Sequence, residues 1–78
     1  MDLKFKLTDG AIRKQVTFNE NDTIGDIINY LKLNCEITSK IFLYNGKTFF
    51  FDENKKLKDC GFRQNGINKL SFGYHYDG

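Results

Sequence analysis

The sequence predicts an α+β domain in which one helix packs across one face of a mixed sheet of four to five strands. Three observations carry this prediction: one stretch with helical periodicity, several short segments in which apolar and polar residues alternate, and turn residues between them. A chain of 78 residues has room for one hydrophobic core, which one sheet and one helix can share. We therefore treat residues 1–78 as a single domain.

The predicted helix spans residues 22–33. Thr23, followed three residues later by Asp26, matches the capping-box pattern of a helix start. Four apolar residues recur at the spacing that places them on one side of a helix: Ile24, Ile27, Ile28 and Leu31. Such a one-sided helix needs a surface to cover, and the predicted sheet supplies it.

The predicted sheet begins with a hairpin. Residues 1–7 and 14–18 alternate in polarity, and the turn chemistry around Gly10 joins them. Residues 70–76 alternate again and form the closing strand, which can pair in parallel with the first strand because the chain between them provides a long crossover. The order along the chain is of the ββαββ type, with one short additional strand.

A second hairpin follows the helix. Residues 40–44 and 47–51 read as strands, and Asn45-Gly46 between them is a strong signal for a two-residue turn. The three phenylalanines at positions 49–51 cannot all be buried in one strand, so one or two of them are expected on the surface.

The register of residues 41–44 decides which aromatic side chains are exposed. If Ile41 and Leu43 point at the helix, Phe42 and Tyr44 face outward, because adjacent side chains in a strand alternate. A slip by one residue would reverse the assignment, and the sequence leaves this open.

Composition argues against several functional classes. The net charge of +2 is small, and acids and bases are interleaved, which disfavours a dedicated nucleic-acid binder. The densest basic cluster, Lys55, Lys56 and Lys58, is expected in a solvated loop. We find no metal-ligand spacing, no phosphate-binding glycine loop and no catalytic constellation, so we expect no enzyme, cofactor or metal.

Localisation follows from the cysteines and the apolar runs. Cys35 and Cys60 occur without a secretory signal, so we expect reduced thiols and a nuclear or cytoplasmic protein. The apolar runs are too short to span a membrane. We therefore expect no membrane contact, and we also expect a monomer.

This order of elements resembles the ubiquitin-like β-grasp fold over almost the whole chain. The motifs that carry the resemblance are the opening hairpin and three short segments: Asp22-Thr23-Ile24, Asn45-Gly46-Lys47 and Leu57-Lys58-Asp59-Cys60-Gly61-Phe62. The helix start, residues 40–43 and the Asn65-Gly66 turn are also similar to the Hub-type ubiquitin-like modifiers.

The Hub-type resemblance implies a function without covalent conjugation. Members of that family bind short helical segments of splicing factors, and an acidic residue at the position of Asp22 meets an arginine of the partner. The resemblance therefore implies a partner segment with an arginine and a role in pre-mRNA splicing. The two adjacent tyrosines that end the last strand in that family correspond here to Gly73 and Tyr74.

The residues expected to bind a partner are Asp22, Phe42, Tyr44, Tyr74 and His75. Asp22 has two possible roles: it stabilises the positive end of the helix dipole, or, if Thr23 is the cap, it lacks a local donor and is free to pair with an arginine. In the favoured register, Phe42 takes the position of the central aliphatic residue in the partner-binding patch of ubiquitin.

Other readings stay open. Ubiquitin and its conjugated relatives end in two glycines, whereas this sequence ends Tyr74-His75-Tyr76-Asp77-Gly78; a modifier would have to be activated at Gly78. The chain can also be a domain cut from a larger protein. A third reading is an RNA-binding domain in which bases stack on Phe42, Tyr44 or Tyr76.

Overall fold

The computed structural model describes residues 1–74 as one sheet and one α-helix. The elements in chain order are β1 (Asp2–Thr8), β2 (Arg13–Asn19), α1 (Ile24–Cys35), β3 (Ile41–Asn45), β4 (Thr48–Phe50), a 3-10 turn (Leu57–Asp59) and β5 (Ile67–Tyr74). The predicted α+β class and order of elements are confirmed. The last strand begins three residues earlier than the alternation suggested.

The sheet has five strands in the order β2-β1-β5-β3-β4. The first and last strands along the chain, β1 and β5, lie side by side and run parallel, while the other neighbouring strands are antiparallel. The helix belongs to the crossover that makes this parallel pairing possible. The central position of β5 brings residues from both ends of the described chain together.

The helix begins where the capping box predicts. The backbone N–H of Asp26 donates to the Thr23 hydroxyl at 3.3 Å, and the backbone N–H of Thr23 donates to the Asp26 carboxylate at 2.8 Å. The helix ends at Cys35, two residues later than predicted, and Glu36 closes it in the left-handed conformation with φ 54°.

The segment before the 3-10 turn covers the first turn of the helix. The backbone N–H groups of Ile24 and Gly25 donate to the carbonyls of Lys55 and Glu53 at 3.0 and 2.8 Å, so these helix-end donors are satisfied within the chain. A Cβ at position 25 would lie 3.0 Å from the Glu53 carbonyl oxygen. This close approach is the reason for a glycine inside the helix.

The core lies between the helix and one face of the sheet. All four apolar residues of the predicted helix stripe are buried. They pack against Leu3, Phe5, Leu7, Ile41, Leu43, Leu57, Leu70 and Phe72. Asn68 is the one buried polar side chain among the described residues, and its amide joins the loop before β5 to the Lys4 carbonyl of β1. Within residues 1–74, no helix lies on the opposite face of the sheet.

Candidate protein-binding surface

The face of the sheet away from the helix is called the open face here. Strand register and alternation assign its side chains: Ile41 and Leu43 of β3 are buried toward the helix, so Phe42 and Tyr44 lie on the open face, as the favoured register predicts. The open-face positions are Asp2, Lys4, Lys6 and Thr8 of β1, Arg13, Gln15, Thr17 and Asn19 of β2, Phe42 and Tyr44 of β3, Phe49 of β4, and Ile67, Lys69, Ser71 and Gly73 of β5.

A continuous line of four aromatic rings occupies the β3–β4 side of the open face. We call it the aromatic row: Phe42, Tyr44, Phe49 and Phe51. Successive ring centroids are 6.4, 5.4 and 5.6 Å apart, and the last two rings are stacked with only 8° between their planes. Phe49 is 46% exposed and Phe51 is 78% exposed.

The phenylalanine between these two exposed rings points the other way. Phe50 is opposite Leu43 in the β3–β4 pairing and packs against the core. This arrangement answers the sequence question about the three phenylalanines, because two are exposed on the open face and one is half-buried.

Gly73 makes space for the first ring of the aromatic row. Phe42 and Gly73 are directly opposite in the antiparallel β3–β5 pair. A Cβ on Gly73 would lie 2.7 Å from Cε2 and 2.9 Å from Cζ of Phe42, which is too close for carbon atoms. The Phe42 ring therefore covers the glycine backbone, an arrangement known from other sheets in which an aromatic side chain shields a glycine on the next strand.

The other side of the open face is positively charged. We call this group the basic strip: Lys4, Lys6, Arg13 and Lys69. Lys6 and Lys69 are direct neighbours in the parallel β1–β5 pair, and they line a shallow depression with Arg13 and Thr8. Within residues 1–74 the one ion pair joins the Met1 amino group to Glu20, so no carboxylate of that segment neutralises the strip.

Asp22 lies just before the helix and has a structural role. Its Oδ2 accepts a hydrogen bond from the backbone N–H of Asn19 at 2.9 Å, and its backbone carbonyl accepts from the N–H of Leu57 at 2.8 Å. Thr23 is indeed the cap, but the inference that Asp22 then lacks a local donor is wrong. Within the described chain, hydrogen bonds engage only one of its two carboxylate oxygens.

Tyr74 lies on the helix side of the sheet, and not with Phe42 and Tyr44. Its ring packs beside Phe72, and its hydroxyl donates to Oδ2 of Asp9 at 3.3 Å. Oδ1 of Asp9 accepts from the backbone N–H groups of Ile12 and Ala11 at 2.6 and 2.9 Å. The hydrogen bond from Ile12 is the largest of the effects that lower the pKa of Asp9 below its ordinary value.

The predicted binding residues therefore do not form one surface. Phe42 and Tyr44 lie together on the open face, Asp22 lies at the start of the helix, and Tyr74 lies on the helix side, beside the β1–β2 loop. His75 and Gly78 lie outside the described residues, so their predicted roles stay predictions.

The basic strip was not predicted from the sequence, although the alternation within the strands indicates it. The outward positions of β1 and β5 include Lys4, Lys6 and Lys69, which are visible in the alternation once the parallel pairing is known. A different basic cluster was predicted in a solvated loop: Lys55, Lys56 and Lys58. It is exposed and lies around the segment that covers the helix start.

The remaining groups considered for chemistry within residues 1–74 are the two cysteines and the metal-ligating side chains. Burial raises the pKa of the Cys60 thiol, which donates to the Lys56 carbonyl at 3.3 Å. Both cysteines are free thiols. No three histidine, cysteine or acidic side chains within residues 1–74 are grouped so that they could hold a metal ion. The one α-helix in that range is too short to cross a bilayer.

The chain has a β-grasp fold, and solved structures of ubiquitin-like domains share it. The ubiquitin-like domain of the Arabidopsis thaliana protein At2g32350, in its solution NMR structure, superposes with a TM-score of 0.80 at 9% identity, over 94% of this chain and 77% of that one. A second structure of the same protein gives a TM-score of 0.74 at 10% identity, over 99% of this chain and 90% of that one.

A third similar structure is described as molecular mimicry of SUMO that promotes DNA repair. It superposes with a TM-score of 0.76 at 13% identity and covers 92% of this chain and 90% of that chain. Identities this low show the fold alone. No family model and no curated protein matches the sequence, so the closer likeness to Hub-type modifiers stays a prediction.

Proposed function

We propose that this chain is a non-enzymatic ubiquitin-like module that binds a short segment of a partner protein without forming a covalent bond. The observation that carries the proposal is the aromatic row on the open face. Phe49 and Phe51 expose large apolar surfaces beside Phe42 and Tyr44, and none of the four belongs to the buried core. Contiguous exposed aromatic side chains commonly provide the anchors of protein interfaces.

The geometry of the aromatic row supports a preformed interface. Phe42 rests over Gly73, and each later ring contacts the one before it, so the rings hold one another in place before any partner arrives. Side chains that are already ordered lose less conformational entropy on binding. Next to the aromatic row, Ser71 of β5 occupies the position opposite Tyr44.

We propose a second contact at Asp22, where an arginine of a helical partner segment would pair with the carboxylate. Support comes from the position of Asp22 at the helix start and from the oxygen that accepts no hydrogen bond within residues 1–74. Arginine can use both oxygens of a carboxylate, including one that already accepts a backbone N–H. A role in splicing rests on the Hub-type resemblance and would require that the partner be a splicing factor.

An affinity experiment tests the module proposal. Wild-type protein and the double variant Phe49→Thr/Phe51→Ser are used to capture proteins from a cell extract, and recovery is quantified by mass spectrometry. Leu33→Ala is the matched control, because Leu33 is 81% exposed on the helix and away from the open face. We expect a set of proteins that the wild type and the control retain and the double variant loses.

The same extract distinguishes covalent attachment at Gly78. With ATP added, products that survive boiling in detergent are measured by intact mass. Adducts that require both ATP and Gly78 would contradict the non-covalent proposal and support a conjugated modifier. Equal recovery of all proteins by wild type and the double variant would remove the aromatic row from the proposal.

A further inference from the structure

We propose that the open face binds an acidic protein segment, whose large apolar side chains contact the aromatic row and whose carboxylates contact the basic strip. This inference rests on the proposed function and adds the chemistry of the partner. The aromatic row and the basic strip are two halves of one continuous surface, and an occupant of one half reaches the other.

The charge of the open face is one-sided. Within residues 1–74, its strand positions carry four cations and a single acid, Asp2, which lies at the far end of β1 next to Asn19. The other described acids lie in the loops and at the ends of the helix: Asp9, Glu20, Asp22, Asp26, Glu36, Asp52, Glu53 and Asp59. The small net charge of the whole chain therefore hides a local excess, and a partner that complements this face is negatively charged.

Two of these cations oppose each other. Lys6 and Lys69 occupy paired positions on neighbouring strands, and like charges in such positions repel and cost stability. Arg13 completes the same depression from β2. Within residues 1–74 no carboxylate relieves the repulsion. A carboxylate supplied by a partner would relieve it, so binding gains an interaction that residues 1–74 do not make among themselves.

The register also fixes the distance between the two halves. One line across the sheet runs through paired positions in the order Arg13, Thr8, Ser71, Tyr44 and Phe49. Three strand spacings separate Arg13 from Tyr44, or about 14 Å. An extended segment rises about 3.3 Å per residue, so acidic residues three to five positions from an apolar anchor would reach both halves.

The packing of the rings favours protein over nucleic acid. The rings of Phe49 and Phe51 are stacked on each other, and Tyr44 is tilted by only 32° from Phe49, so neighbouring rings already use part of the ring faces on which a base would stack. The apolar surface that the rings leave exposed suits aliphatic and aromatic side chains of a peptide. The open face of a second copy fits poorly, because its described strand positions offer only one acid, Asp2, to meet the four cations.

A displayed library of random 12-residue peptides tests the inference. Wild-type protein is expected to select peptides with aspartate or glutamate three to five positions from a large apolar residue. One selected peptide is then synthesised. Its affinity is expected to fall about fivefold or more in Lys6→Gln/Lys69→Gln and to stay unchanged in Lys32→Gln/Lys58→Gln, which removes the same charge elsewhere. Affinity for wild type should also fall as salt rises.

The remaining outcomes separate the two proposals. Selected peptides without acidic residues that still require Phe49 and Phe51 would overturn the inference and leave the module proposal standing. A library that yields no binder to the open face would count against both. A ten-nucleotide oligo(dT) is also tested as a competitor of the selected peptide. If the oligonucleotide displaces the peptide, and if its own binding is lost in both the Lys6→Gln/Lys69→Gln and the Phe49→Thr/Phe51→Ser variants, the face is assigned to nucleic acid and the protein segment is refuted.

Discussion

Replacing Lys69 by glutamate is expected to stabilise the free protein while it weakens binding to an acidic partner. The substitution turns the repulsive Lys6–Lys69 pair of β1 and β5 into an attractive one. No ion pair involving either lysine has to be broken within residues 1–74. A residue that costs stability in the free protein and helps binding is expected at an interaction surface.

The size of the effect follows from the spacing of the strands. Neighbouring strands are about 4.8 Å apart, so the two ammonium groups lie roughly 6 Å apart when the side chains extend together, and their repulsion in water is about 0.7 kcal/mol. Reversal of one charge replaces this repulsion by an attraction, which doubles the change in energy relative to removal of the charge. Side-chain mobility and salt reduce the change. We expect a gain of about 0.5–1 kcal/mol, or about 2–8 °C in Tm for a domain of this size.

Urea denaturation at low salt measures this gain, and three variants isolate its cause. Lys69→Gln should give about half the gain, because it removes repulsion without adding attraction. Lys6→Glu/Lys69→Glu restores a like-charge pair and should lose the gain. In 1 M salt the differences should largely vanish. A Lys69→Glu protein less stable than wild type, or a gain independent of salt, would refute the reasoning.

Three further predictions concern single side chains. Asp22→Ala should lower the free energy of unfolding by about 1 kcal/mol, because the turn loses a hydrogen-bond acceptor. Asp22→Asn keeps an acceptor oxygen, so it should keep the stability and weaken only the capture of an arginine-bearing helix. Denaturation measures the first effect and a binding assay measures the second. The pKa of Asp9 is lowered in the folded protein. The stabilising effect of its carboxylate is therefore complete above about pH 4 and is lost as the pH falls below that value. Asp9→Asn should make the free energy of unfolding depend less on pH over this range. Leu57→Ala should cost about 2–5 kcal/mol, while Leu33→Ala should change stability by less than about 0.5 kcal/mol in the same denaturation series.

The fold could be predicted because its signals are local. The capping box at Thr23 and Asp26 fixed the helix start. The turn residues placed the second hairpin, but its two-residue loop is Gly46-Lys47 and not Asn45-Gly46, because Asn45 pairs with Thr48 as the last residue of β3. The register of β3 was left open by the sequence, and the burial of Ile41 and Leu43 confirms the favoured alternative. The end of the helix was harder, because no glycine follows it and Glu36 adopts the left-handed conformation in its place.

The site could be predicted only in part because it combines distant parts of the chain. Lys6 and Lys69 are separated by more than sixty residues and become neighbours only through the parallel pairing of β1 with β5. Tyr74 was assigned from a family position, although its alternation with Phe72 already indicated the helix side of the sheet. The local donor to Asp22 was missed for a different reason: the hydrogen bond from Asn19 depends on a loop conformation that no periodicity encodes.

The contact between Phe42 and Gly73 has a consequence for sequence variation. Because outer atoms of the Phe42 ring occupy the space that a side chain at position 73 would need, a substitution at Gly73 requires the ring to move or to be replaced by a smaller side chain. Related sequences should vary at these two positions in concert, with an aromatic residue at 42 accompanied by glycine at 73 and a small residue at 42 accompanied by a larger one. In a deep alignment, this pair should give a covariation signal between two residues thirty-one positions apart. The same rule applies to laboratory evolution, in which a substitution at Gly73 should be rescued first by a smaller side chain at Phe42.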